Sequence, residues 1–122
     1  MKLLANLFVA LVAVAHLWFL TLEMFLWTSP IGLRTFQMSA EVAASSAVLA
    51  ANQGLYNGFL AAGLMWGLVA RDGAFAIKVF FLSCVTVAGV FGAYTAKASI
   101  LFVQALPAAI ALTLVILTRE RQ

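Results

Sequence analysis

The sequence predicts an all-α fold, a four-transmembrane-helix antiparallel bundle with a short interfacial segment between helices 1 and 2, and three observations carry that prediction. Of 122 residues, 66% are hydrophobic and only 9% charged, whereas a soluble domain of this length carries about a quarter charged residues. Four apolar runs are each long enough to cross a hydrocarbon core of about 30 Å, which takes about 20 helical residues. These runs lack the strict alternation of a lipid-facing strand, so helices are what would satisfy their backbone in lipid. The same composition excludes a soluble globular enzyme and a disordered chain. A single cysteine, Cys84, excludes a disulfide-stapled module.

The first run, Leu3 to Trp27, holds 25 residues interrupted only by the ionisable His16 and Glu23. It continues well past the Ala13-Val14-Ala15 triplet, so it reads as a spanning anchor and not as a cleaved signal. The connection from Thr28 to Ser46 is long enough for structure of its own. Thr28-Ser29-Pro30 supplies capping hydroxyls and a proline suited to a first helical position, which predicts a short interfacial helix over Ile31 to Met38. Ser39-Ala40-Glu41 then reads as a fresh helical start into the second span. Ala47 to Ala70 is 24 residues with no ionisable group, Ala74 to Tyr94 is 21 with Lys78, and Ala98 to Thr118 is 21 with none. The three-residue connections Arg71-Asp72-Gly73 and Thr95-Ala96-Lys97 make neighbouring spans antiparallel.

The chain is therefore read as a single integral membrane domain over residues 1–122, with spans at about 3–27, 47–70, 74–94 and 98–118, in the bacterial cytoplasmic (inner) membrane. Lys2, Arg71, Lys78, Arg119 and Arg121 fall on one side and Arg34 and Lys97 on the other, which by the positive-inside rule puts both termini in the cytoplasm. The basic excess is topological, and no nucleic-acid partner is expected.

Ionisable groups inside a bilayer cost about 2.5–3.5 kcal/mol on insertion scales, which makes His16 and Glu23 candidate site residues. Seven residues apart, they share one helical face with Leu20 and Trp27. On the second span Asn52, Gln53, Tyr56 and Asn57 fall on one arc, with Gly54, Gly58 and Ala61 on the arc beside it. Depth counted from the outer boundary sets Glu23 level with Asn52 and Gln53, and His16 level with Asn57. Gln104 on the fourth span completes the set of expected ligand-binding residues: His16, Glu23, Asn52, Gln53, Tyr56, Asn57 and Gln104. All the strongly polar intramembrane groups except Asn6 fall in the outer half or near the midplane, describing a polar chamber that opens away from the cytoplasm. Each amide taken singly also serves as an interhelical hydrogen bond, and Gly54 with Gly58, like Gly63 with Gly67, has the spacing that lets helix backbones approach. No phosphate loop, metal-ligand cluster or nucleophile elbow is present, so no cofactor or metal is expected.

Glu23-Met24-Phe25-Leu26-Trp27-Thr28, the block Ala51-Asn52-Gln53-Gly54-Leu55-Tyr56-Asn57-Gly58-Phe59-Leu60-Ala61-Ala62-Gly63, and Gln104 with Pro107-Ala108 resemble the small membrane proteins of the domain of unknown function 1304 family. The resemblance covers almost the whole chain, with Phe91 where a tyrosine is common and Ala105 where a glycine is common. It implies a four-span membrane protein and supplies no activity.

Function is thus an expectation from the residues. The leading reading is a protein that binds or transports a small amphipathic molecule or lipid in the outer chamber, Glu23 carrying the selecting charge. An intramembrane acid–base enzyme, in which His16 and Glu23 share the work on a lipid-soluble substrate, is the second. A structural subunit, whose polar layer holds a partner or a second copy in a homo-oligomer, is the third.

Overall fold

The computed structural model of the chain describes residues 1–119, and among these it is all helix and turn, with no strand. The elements are α1 (Lys2–Met24), α2 (Pro30–Phe36), α3 (Ala40–Val69), α4 (Ala74–Thr95) and α5 (Leu101–Leu117). Arg121, counted above among the cytoplasmic cations, lies outside the described residues. Of the helices, α1 and α4 are long and apolar enough to cross a membrane, at 23 and 22 residues. The described residues group into two compact units, one of residues 14–61 and one of residues 1–13 with 62–119.

In the first unit, the segment after α1 folds as its capping chemistry dictates. The Ser29 side chain accepts a hydrogen bond from the Gly32 amide at 3.3 Å while its hydroxyl donates to the Leu26 carbonyl at 2.7 Å, and Pro30 occupies the first turn. Gly32 is buried against the carbonyl groups of Leu26 and Trp27, where any side chain would collide with backbone. The helix stops at Gln37, which takes the left-handed conformation (φ 52°, ψ 47°), and the amides of Gln37 and Met38 both donate to the Leu33 carbonyl. Ser39 then caps α3 through the Val42 amide, 3.2 Å, with Glu41 in the first turn where the helix dipole favours an acid. The expected short helix between the first two long ones is therefore present. The Trp27 indole N–H donates to Ser46 Oγ at 3.1 Å and its ring packs on Phe36 at 4.6 Å, tying α2 to α3.

The second unit packs the start of α1, the end of α3, α4 and α5. Its core is Ala5, Val9 and Val12 from α1, Leu64 from α3, Leu82 and Val85 from α4, and the stripe Ala105, Ala108, Ala111 and Val115 from α5. Gly63 receives the Phe81 ring. Between α3 and α4 the chain reverses at Gly73, whose φ of 70° favours glycine. The connection before α5 is longer than the three residues expected. Tight turns run through it, with the Ile100, Leu101 and Phe102 amides donating to the Lys97, Ala98 and Ser99 carbonyls. The first turn of α5, Leu101–Ala105, is π-helical, and the Leu106 amide reaches back to the Leu101 carbonyl. Pro107 explains it: proline has no N–H for the Val103 carbonyl, and its ring crowds that group unless the preceding turn widens.

Candidate functional site

Within residues 14–61, α1 meets α3 through Leu20 and Glu23, two of the residues that the helical period sets on one face with His16. The contact is made on the small-residue side of α3. A Cβ added to Gly54 would lie 2.6 Å from Met24 Cγ, 3.1 Å from Glu23 Cβ and 3.2 Å from the Leu20 carbonyl oxygen, and one added to Gly58 would lie 2.7 Å from Leu20 Cδ1. In this unit the buried positions of α3 run Ala43, Ala50, Gly54, Asn57 and Ala61, steps of three, four and seven that fall on one face.

The geometry at Glu23 follows from that face. The Asn57 side-chain amide donates to Glu23 Oε2 at 2.6 Å, with Asn57 only 6% exposed. Depth matching places Glu23 level with Asn52 and Gln53, yet its partner is Asn57. The physical reason is rotational: glycines allow the closest approach of two helix backbones, so they set the contact face, and Asn57 is the polar residue nearest to it. Asn52 and Tyr56 point to the exposed side of α3, and Gln53 flanks the contact face and is also exposed. His16 is buried on α1 and meets the Phe19 ring edge-on at 5.2 Å between centroids. Gln104 is half-buried on the π-helical turn of α5 and belongs to the other unit. The structure thus joins Glu23 to Asn57 with Leu20 packed beside them, and it does not gather all seven residues around one point.

An ionised carboxylate has about four acceptor positions, and the Asn57 bond uses one. The amide fixes the orientation of the carboxyl plane without neutralising it, so a cation or a further donor can still be received. Among the described residues no three His, Cys, Asp or Glu side chains converge as a metal site would require.

A second polar pair, not assembled from the sequence, lies in the other unit. The Lys78 ammonium donates to Asn6 Oδ1 at 2.8 Å. Asn6 stands apart from the outer polar cluster in the sequence, and an intramembrane amide on the same side as a lysine one turn inside a span is the signal that could have joined them.

What the fold and site define is a small all-α protein with two strongly apolar long helices and, between neighbouring helices, a half-buried carboxylate bonded to a buried amide. The sequence pattern of the proteins of unknown function designated DUF1304 matches residues 10–116, and the chain belongs to that family. Neither a curated protein nor a solved structure matches it.

Proposed function

We propose that this chain is a four-span integral membrane protein that binds, and by binding moves, a small amphipathic molecule or lipid at a polar site in the outer half of the bilayer, with Glu23 as its selecting charge. In this reading α1, α3, α4 and α5 are the spans, α2 lies in the interface, and both termini are cytoplasmic. The apolar length of α1 and α4 supports it. So does the exposure of Leu3, Leu7, Leu11, Val48, Phe80 and Phe102, because large apolar side chains spread over helix surfaces suit lipid and not water. The α3 helix, 30 residues, has a length of about 45 Å and reaches beyond the hydrocarbon.

The observation that carries the binding reading is the Asn57–Glu23 hydrogen bond on the packed face of α1 and α3. Helix packing alone is served there by Gly54 and Gly58, and an ionisable group is an expensive way to add to it. A carboxyl held in one orientation by an amide, with acceptor capacity left over, suits the ammonium or hydroxyl end of an amphiphile whose tail lies along α1.

The test is equilibrium binding of a lipophilic phosphonium cation to the purified chain in nanodiscs. Glu23→Gln should weaken binding about tenfold or more, the scale of a lost charge-assisted contact, while His16→Phe should leave it near wild type. Equal affinity for wild type and Glu23→Gln refutes the reading. Parallel loss with both variants favours the acid–base enzyme, in which the two residues act together.

A further inference from the structure

The unit formed by residues 1–13 and 62–119 carries an open cleft of about 590 Å³, within the range of small-molecule sites. Four cationic side chains line it, each from a different segment: Lys2 at the start of α1, Arg71 in the turn between α3 and α4, Lys78 on α4, and Arg119 just beyond α5. None of the described residues that line it is acidic. Asp72 is next to Arg71 in the chain but is not part of the wall.

The wall is built and not merely basic. The Lys78 ammonium is held by Asn6 at 2.8 Å, and the Arg119 guanidinium stacks 4.7 Å above the Phe75 ring, so two of the four cations are positioned by neighbours. Buried Ala5 and Val115 complete an apolar floor. Gly73 and the first residues of α4 share the lining, and no side chain among the described residues caps that helix. Like charges gathered around one concave volume focus its field and draw in an anion. Arginine presents a planar fork of donors that suits a phosphate, and lysine adds point charge.

We propose that this cavity binds a phosphate anion, supplied either by the headgroup of an acidic phospholipid or by a free phosphate. The sequence alone reads these cations as a topological signal, scattered over four span ends. The fold brings them to one place, a second site independent of Glu23, at the ends that the positive-inside rule puts on the cytoplasmic side. The lipid source rests on the membrane reading of the chain, and the free-phosphate source does not.

The experiment uses the full chain in phosphatidylcholine nanodiscs with two probes. Native mass spectrometry follows retention of added phosphatidylglycerol, and calorimetry follows inorganic phosphate. The wild type should bind at least one probe, the double variant Arg71→Gln with Arg119→Gln should bind it about tenfold or more weakly, and Arg34→Gln, which is not part of the wall, should match wild type. Phosphatidylglycerol retention without phosphate uptake assigns the headgroup, and phosphate uptake assigns the free anion. Binding of neither probe, undiminished binding by the double variant, or an equal loss in Arg34→Gln overturns the proposal. Circular dichroism checks folding, and if the double variant loses helix, the single variant Arg71→Gln at an exposed side chain takes its place. Because the phosphonium cation reports on Glu23 and the anionic probes report here, either site can fail without the other.

Discussion

Gly89 and Gly92 lie one helical turn apart on α4, and alanine should be destabilising at the first and not at the second. A Cβ on Gly89 would stand 2.6 Å from the Ala105 amide nitrogen and 2.8 Å from both its Cα and Cβ. Two of these are backbone atoms of α5 at its π-helical turn and the third is fixed directly to it, so none can swing aside and α4 and α5 would have to part by about 0.6–0.8 Å to restore ordinary contact near 3.4 Å. Overpacking of this kind costs about 1–3 kcal/mol, against which alanine returns up to about 1 kcal/mol of helix propensity. The net expectation for Gly89→Ala is a loss of about 1–2 kcal/mol. At Gly92 the added Cβ meets only the Ile100 side chain, Cγ2 at 3.3 Å and Cδ1 at 3.5 Å. That side chain can give, so Gly92→Ala should be neutral or stabilising by up to about 1 kcal/mol. Reversible unfolding in mixed micelles, followed by circular dichroism, measures both. Equal stabilities for the two variants would refute the packing of α4 on α5 described here.

The Glu23–Asn57 bond can be isolated by a double-mutant cycle: Asn57→Leu should cost about 1–3 kcal/mol when Glu23 is present and clearly less in Glu23→Gln, whereas a cost that is the same in both backgrounds would mean no coupling between the two side chains. Orientation is checked by single cysteines in place of Arg34 and Arg71 in a Cys84→Ala background. A membrane-impermeant thiol reagent added outside intact cells should label the first and spare the second, and the reverse pattern would invert the topology.

Much of the architecture was legible because local chemistry decides it. Ser29-Pro30 and Ser39-Ala40-Glu41 are helix starts in any context, and α2 and α3 begin there. The α1 face of His16, Leu20 and Glu23 was readable from spacing, since helical period is a property of the backbone. The partner of Glu23 was not, because facing residues on two helices depend on rotation as well as depth. Polarity suggested that the amide arc of α3 would turn toward α1, but sterics favoured the glycine arc, leaving Asn52 and Tyr56 outside and bringing in Asn57. The basic cavity was illegible for a different reason. Lys2, the Arg71 and Lys78 pair, and Arg119 are far apart in sequence, and only the return of the helices to the same end brings them together.

The π-helical turn at Leu101–Ala105 holds one more residue than an α-helical turn of the same rise would need. The helix therefore contains its own spare residue. Deleting one amino acid within this turn can be absorbed by relaxing it toward α-helix, which brings back the crowding of the Pro107 ring at a cost of about 3 kcal/mol but lets Ala108, Ala111 and Val115 keep their places in the core. The same deletion in α4 between Leu82 and Gly89 has no such slack and would rotate every following side chain by about 100°. Length variation in this chain should then be tolerated at the proline-proximal turn of the last helix, beside Gln104, and resisted in the helix before it.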